Sequence, residues 1–210
     1  MAEAARIYQL RPAADLVPEP TATDSAVPWS LGGLAGRLVE LSGDGDSASL
    51  TFACGMILEA QEQEEIPAWI TTRDRPFFPP DVAAGGIDLA ALPVVRVSAE
   101  GELARVTDHL ARSGAFGLIV VDLGRTASLT IPMQSRLLGL AQKHQTAILF
   151  LTEKRRDAPS LGSLISLRGQ TRLRKIGFDR FACELVVMKD KRRAPGWKHE
   201  EICRGPAGLH

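Results

Sequence analysis

The residues with the most chemical promise form the turn Gly43, Asp44, Gly45, Asp46, Ser47, Ala48, Ser49 and Leu50. A phosphate-binding loop needs an opening glycine, a second glycine, a lysine that reaches the β and γ phosphates, and a hydroxyl for magnesium. Here the opening glycine is present, but Ser49 stands in the lysine place and Leu50 in the hydroxyl place. Asp44 and Asp46 add negative charge where a triphosphate would sit. The turn is therefore expected to be a structural strand-to-helix link. Asp122 ends an apolar run and has the position of a magnesium-coordinating aspartate, without the partners that role requires. Arg73 and Asp74 close another apolar run, and a guanidinium stays protonated, so it cannot serve as a general base.

No nucleophile, base and orienter come together elsewhere in the sequence. His109 falls inside a helical pattern, His144 at a helix end and His199 in a basic strand. Cys54, Cys183 and Cys203 are far apart and have no CxxC or CxxH pairing, so neither a zinc cage nor a disulfide framework is expected and a reducing cytoplasm fits better. No metal or cofactor is implied by these residues.

The basic residues form three clusters. They are Lys154, Arg155 and Arg156; Arg168, Arg172, Arg174, Lys175 and Arg180; and Lys189, Lys191, Arg192, Arg193 and Lys198. The chain as a whole is neutral, with 25 basic and 25 acidic side chains, yet residues 1–152 carry 11 basic against 18 acidic and residues 153–210 carry 14 against 7. The halves thus stand at −7 and +7, and the basic end suits a polyanion or an acidic protein surface. Phe178, Phe181 and Trp197 are interleaved with these cations, whereas Trp69 sits in a strand and reads as core. Aromatic residues make up only 5% of the chain, which leaves few platforms for base stacking. Cations beside antiparallel strands could contact a phosphate backbone without reading sequence, or could simply form a solvated edge.

These residues need elements to position them. Arg37–Ser42 reads as a strand running into the glycine turn, and 48–60 has the three-to-four spacing of a helix with a buried face. Ala68–Thr72 is a strand, 76–80 a proline-rich surface loop in which Pro79 and Pro80 forbid regular structure, 87–92 a single turn and Val94–Val97 a strand. Ser98 is expected to cap a helix over 99–112, and Leu118–Asp122 to form a buried strand. A helix over 134–144 and a buried strand over 147–151 come next. After Thr152 the rhythm changes to shorter strands at 163–167, 180–188 and 198–203. The fold class is α/β: a mostly parallel central sheet flanked by helices, with antiparallel C-terminal edge strands. Residues 1–27 read as a flexible segment with a short helix over 2–10, and 28–210 as one domain.

At 210 residues and 45% hydrophobic, the chain can bury roughly 70% of the surface its unfolded form exposes. It has no run of apolar residues long enough to span a bilayer and no signal-peptide pattern, which points away from the membrane.

Three segments resemble the RecA recombinase ATPase core. Gly36–Gly43 (GRLVELSG) is similar to the strand leading to its phosphate loop, and Thr107–Asp122 (TDHLARSGAFGLIVVD) to the helix and strand of its second nucleotide motif. Leu185–Trp197 (LVVMKDKRRAPGW) resembles a late segment in which a lysine-containing strand enters an Ala-Pro turn. The resemblance covers 30–203 and implies a RecA-like fold. It places the phosphate-loop Gly-Lys-Thr at Ala48, Ser49 and Leu50 and the catalytic glutamate at about Arg73, and keeps only Asp122 in type. The segment 152–163 is short and lacks a glycine-rich DNA-contacting loop.

A small RecA-like protein with this erosion is similar to the ImuA accessory proteins of bacterial mutagenic translesion synthesis. That resemblance implies a non-catalytic adaptor in the SOS response, cytoplasmic and nucleoid-associated on DNA damage. Its expected partners are a catalytically inactive Y-family polymerase relative and an error-prone replicative-type polymerase, with RecA or single-stranded DNA as further candidates. Lys154, Arg155, Arg156, Arg168, Arg172, Arg174, Lys175, Lys189, Lys191, Arg192 and Arg193 are the candidate DNA or partner contacts. A weak nucleotide-binding ATPase in recombination and a modulator that caps RecA filaments are the alternatives.

Overall fold

Apolar β-branched and leucine-rich runs alternate with amphipathic helices until Glu153, and the chain lays them side by side in one sheet. The computed structural model describes residues 29–75, 77–125 and 128–204. The expected N-terminal segment 1–27 and its helix lie outside the described residues. A short helix α1 (Leu31–Leu34) leads to β1 (Leu38–Gly43), α2 (Ser49–Glu62), β2 (Pro67–Thr72), α3 (Pro79–Ala84), a 3-10 turn at Leu89–Ala91 and β3 (Val94–Val97). Then come α4 (Glu100–Ser113), β4 (Leu118–Gly124), α5 (Ile131–His144), β5 (Ala147–Glu153), β6 (Leu167–Lys175), β7 (Arg180–Asp190) and β8 (Lys198–Arg204).

The eight strands lie in the order β3-β2-β4-β5-β1-β6-β7-β8. Pairing is parallel from β3 through β6, and β6-β7-β8 is antiparallel. This is a mostly parallel sheet with antiparallel edge strands, of RecA-like topology. Every residue of β1, β2 and β4 is buried, because these mostly apolar strands are covered on both faces. Phe52, Met56 and Ile57 of α2 join Val39, Leu41, Val120 and Leu149 in one core. Leu103 of α4 and Leu137 of α5 join Leu38, Ile119, Val121 and Phe150 in the core on the opposite face.

Three details differ from the sequence expectation. Pro79 and Pro80 do not end regular structure but open α3, because the first positions of a helix have no intrahelical partner for the N–H that proline lacks. Ser98 is not the N-cap of α4; Ala99 is, and the Glu102 carboxylate accepts from the Ser98 and Ala99 N–H groups at 3.1 and 3.3 Å. The strand expected at 163–167 begins only at Leu167 and runs to Lys175, its arginines alternating with the buried Leu167, Gly169 and Thr171.

Both ends of the sheet's central connection are tied by one ion pair. Arg37, just before β1, meets Asp190 at the end of β7 at 2.5 Å, with side chains only 4% and 1% exposed. Arg37 also donates to Ser166 Oγ and to the Ser166 carbonyl at 2.9 and 3.0 Å, and Trp197 Nε1 donates to Asp190 at 3.1 Å. Burial alone would raise the Asp190 carboxyl; the Arg192 N–H, the Arg37 guanidinium and the Trp197 N–H outweigh it and hold the group below its ordinary value.

Asp190→Ala would leave Arg37 buried without its counter-ion, and is expected to cost about 3–5 kcal/mol in urea denaturation. The carboxyl is depressed in the folded state, so the pair's contribution is present above the ordinary aspartate range and is lost as pH falls through the folded pKa. A stability profile of Asp190→Asn against the parent should therefore show less loss on acidification.

Candidate functional site

In an open α/β sheet the ligand crevice lies beyond the carboxyl ends of the strands, where the strand order reverses. Here that place is the end of β1, flanked by β5 and β6. The turn after β1 is drawn down onto β6. Ser47 Oγ donates to Ser49 Oγ at 2.9 Å, and both hydroxyls lie within hydrogen-bond reach of Thr171 Oγ1, at 2.9 and 2.8 Å. Thr171 Oγ1 in turn donates to the Ser42 carbonyl at 3.1 Å, while the Leu173 N–H donates to the Asp46 carbonyl at 2.9 Å. A Cβ on Gly43 would meet Ser47 Oγ at 1.9 Å, so the turn closes this tightly only over a glycine. Ser49, in the lysine place, is buried among these hydroxyls, and Leu50, in the magnesium-hydroxyl place, is 53% exposed. This arrangement does not fit a bound triphosphate: the corner between β1, α2 and β6 is filled by the protein's own hydroxyls and contains no lysine.

The second half of the corner is closed by an arginine. Asp122, at the end of β4, is buried, and Arg75 reaches across from the β2–α3 connection to meet it at 3.0 Å. The same Arg75 Nη1 meets Glu153 at the end of β5 at 3.1 Å, and Arg125 meets the other oxygen of Glu153 at 2.6 Å. A Cβ on Gly124 would lie 1.5 Å from Arg75 Nη2, so the arginine takes this path because residue 124 has no side chain. Burial pushes the Asp122 carboxyl above its ordinary value against the opposing pull of Arg75. Glu153 is held low, first by the Arg125 hydrogen bond and then, against some burial, by Arg75. Arg73, at the place expected for a catalytic glutamate, is exposed; its backbone N–H donates to the Val97 carbonyl at 3.2 Å. No group of three or more His, Cys, Asp or Glu is arranged for a metal among the described residues.

A fully buried carboxylate, Glu40 in the middle of β1, organises the segment after β5. It is paired with Lys154 Nζ at 3.0 Å and accepts from the Leu161 N–H at 2.7 Å, Ser160 Oγ at 2.9 Å and Thr152 Oγ1 at 3.1 Å. The connection 154–161 is thereby folded back onto the sheet.

Known proteins with a similar sequence include RecA proteins of several bacteria. The chain is 30% identical to RecA of Corynebacterium urealyticum over 128 residues and 32% identical to RecA of Corynebacterium jeikeium over 130, in each case 56% of this chain and 34% of the relative. It is 29% identical to RecA of Kineococcus radiotolerans over 154 residues, 67% of this chain and 43% of the relative. The chain is distantly homologous to RecA. It spans between 34% and 43% of the length of these RecA proteins. No protein-family profile matches it.

The basic residues of this RecA homologue divide into two groups. Lys154 and Arg168, expected at a DNA or partner surface, are instead turned inward: Lys154 neutralises Glu40, and the Arg168 guanidinium donates to Ser42 Oγ and to the carbonyls of Arg155 and Ala158. Lys189 donates to the Gly162 and Ser163 carbonyls at 3.3 Å each, and Arg192 to the Ala35 carbonyl at 3.0 Å. Arg174 pairs with Glu184 at 3.1 Å, and Arg155 with Asp157 at 3.4 Å. Lys175 and Lys191 are exposed, and Arg193 is half-buried.

Arg156 and Arg172 face a groove of about 580 Å³ together with Asp44, Asp46, Gln170 and Glu184. A second hollow of about 670 Å³ shares Asp44, Arg156 and Gln170 with it and adds Arg155, Asp157 and Met188. Both open beside the filled corner, and charges of both signs line them.

Sequence reasoning found Asp122 and the turn but missed Arg75, Glu153, Glu40 and Thr171. Glu153 carried a usable signal, since it ends a buried strand as Asp122 does. Arg75 and Thr171 carried none, because their partners come from elements distant in sequence.

Arg75→Ala is expected to leave Asp122 buried with no counter-ion and to raise its carboxyl further. An acid whose folded pKa is raised stabilises the fold at low pH and loses that contribution as pH rises through the folded value. The variant should therefore lose stability more steeply than the parent as pH rises above the ordinary aspartate range, and Asp122→Asn added to it should flatten the profile.

Proposed function

We propose that this chain is a non-hydrolysing RecA-like adaptor in SOS-induced translesion DNA synthesis. The observation that carries the reading is the filled nucleotide corner, with the Ser47, Ser49 and Thr171 hydroxyls where a phosphate loop would hold phosphate and Arg75 bonded to Asp122 where magnesium would be held. A RecA-like sheet that keeps its core while its motor residues are replaced has lost the reason for nucleotide but kept its surfaces. On this reading the partners are a catalytically inactive Y-family polymerase relative and an error-prone replicative-type polymerase, met in the cytoplasm at damaged nucleoid DNA. RecA and single-stranded DNA are secondary contacts, and no cofactor takes part.

Affinity capture from DNA-damaged cells, with nuclease treatment, tests the adaptor directly. Recovery of either polymerase by mass spectrometry supports it. Recovery of RecA alone turns the reading toward a modulator that caps RecA filaments, which would then block filament growth at substoichiometric amounts. The enzyme alternative predicts ATP-dependent phosphate release that disappears in Asp122→Ala. The adaptor predicts none in either protein, and release above a protein-free control would overturn it.

Arg156 and Arg172 line the groove beside the corner and are the arginines best placed to meet a phosphate backbone. Reversing both to Glu is expected to weaken binding to single-stranded DNA and to shallow the salt dependence by about 0.7 in log–log slope for each phosphate no longer neutralised. Unchanged binding in a fluorescence titration would assign the groove to a protein partner.

A further inference from the structure

Two of the three cysteines meet on the antiparallel edge of the sheet. Cys183 lies in β7 and Cys203 in β8, where the register pairs Cys183 with Glu201 and Phe181 with Cys203. The two thiols are thus diagonal neighbours on the same face, and the Cys183 thiol donates to Cys203 Sγ at 3.1 Å. About 1 Å of approach separates the two sulfurs from the roughly 2.05 Å of a bond between them. Cys183 is buried and Cys203 half-buried, so an oxidant from solution meets Cys203 first. Among the described residues β8 is an edge strand, paired with β7 alone, and can take up the small shift that bonding needs. Cys54, on α2, is also a free thiol and packs against the same core cluster.

We propose that Cys183 and Cys203 form a reversible disulfide that locks the edge strand β8 onto β7 in response to a peroxide oxidant. The Cys203 sulfur attacks one peroxide oxygen, the O–O bond breaks, and a sulfenic acid forms at Cys203 with release of one water. The Cys183 sulfur then attacks the sulfenic sulfur, the S–O bond breaks, the S–S bond forms, and a second water leaves with the Cys183 proton. Two thiols are oxidised by two electrons and one hydrogen peroxide is reduced to two waters. A thiol reductant reverses the bond by exchange.

Burial, together with the neighbouring Cys203, pushes the Cys183 thiol up to about 12, which keeps it protonated until its partner is activated. The consequence reaches beyond the hairpin, because the His199 ring of β8 packs against Phe52 in the first turn of α2, with centroids 5.9 Å apart. Fixing β8 therefore fixes the element that packs on the start of α2, beside the filled corner.

The test treats the full chain with dilute hydrogen peroxide and counts thiols after denaturation. We expect the three thiols of the reduced chain to fall to one, with an intact-mass loss of about 2 Da, a Cys183–Cys203 linked peptide on digestion and recovery of all three thiols with dithiothreitol. Cys54→Ser should fall to none, and Cys203→Ser should keep both of its thiols. Amides of β8 should exchange with deuterium about tenfold more slowly in the oxidised form. Three surviving thiols, a bond through Cys54 or between two chains, or arrest at sulfinic acid would each overturn the disulfide. A disulfide that leaves β8 exchange unchanged would overturn the lock.

Discussion

A carboxylate in the middle of a parallel sheet is the constraint around which this molecule is arranged. Glu40 is fully buried, so the fold must neutralise it and satisfy its oxygens from within. It does so with Lys154, Thr152, Ser160 and the Leu161 N–H, all of them from β5 and the segment after it. That requirement sets the path between β5 and β6. The path in turn brings the carbonyls of Arg155 and Ala158 to the Arg168 guanidinium. Two cations that sequence alone would place on a DNA-facing surface are thereby consumed by the interior.

The same economy governs the carboxyl ends of the strands. Asp122 and Glu153 end adjacent strands, and a single guanidinium, Arg75, serves both. Where the turn after β1 could have opened around a ligand, three hydroxyls close it against β6. These hydroxyls and carboxylates all have protein partners. The site is a finished piece of structure, and what stays open is the neighbouring groove with its mixed charges.

The fold was legible because its information is local. β2, β4 and β5 are mostly apolar runs, β1 is one interrupted by Glu40 and Ser42, and α2, α4 and α5 are periodic, so sequence pattern placed them to within a few residues. β6 was misplaced because Arg168, Arg172 and Arg174 interrupt its apolar pattern, and the reason one of them can be buried lies in carbonyls ten or more residues away in sequence. The departure from a phosphate-loop pattern was visible at Ser49 and Leu50. What replaced it was not, because Thr171 is 122 residues from Ser49 and Arg75 is 47 from Asp122. The cysteines teach the same lesson: Cys183 and Cys203 are far apart in the sequence and adjacent across a β-hairpin.

The hydroxyl cluster at the end of β1 also limits what substitution can do there. A lysine placed at position 49 would have to enter a space where Ser47 and Thr171 already bond to each other, with Thr171 anchored to the Ser42 carbonyl. Its ammonium would be buried among hydroxyls whose hydrogen bonds it disrupts, with the acidic Asp44 and Asp46 still in the turn above. Building a phosphate loop here thus needs coordinated change in β6 and the turn as well as a lysine at position 49. A lysine at position 49 alone would therefore be a buried cation without a phosphate to meet, not a working phosphate loop.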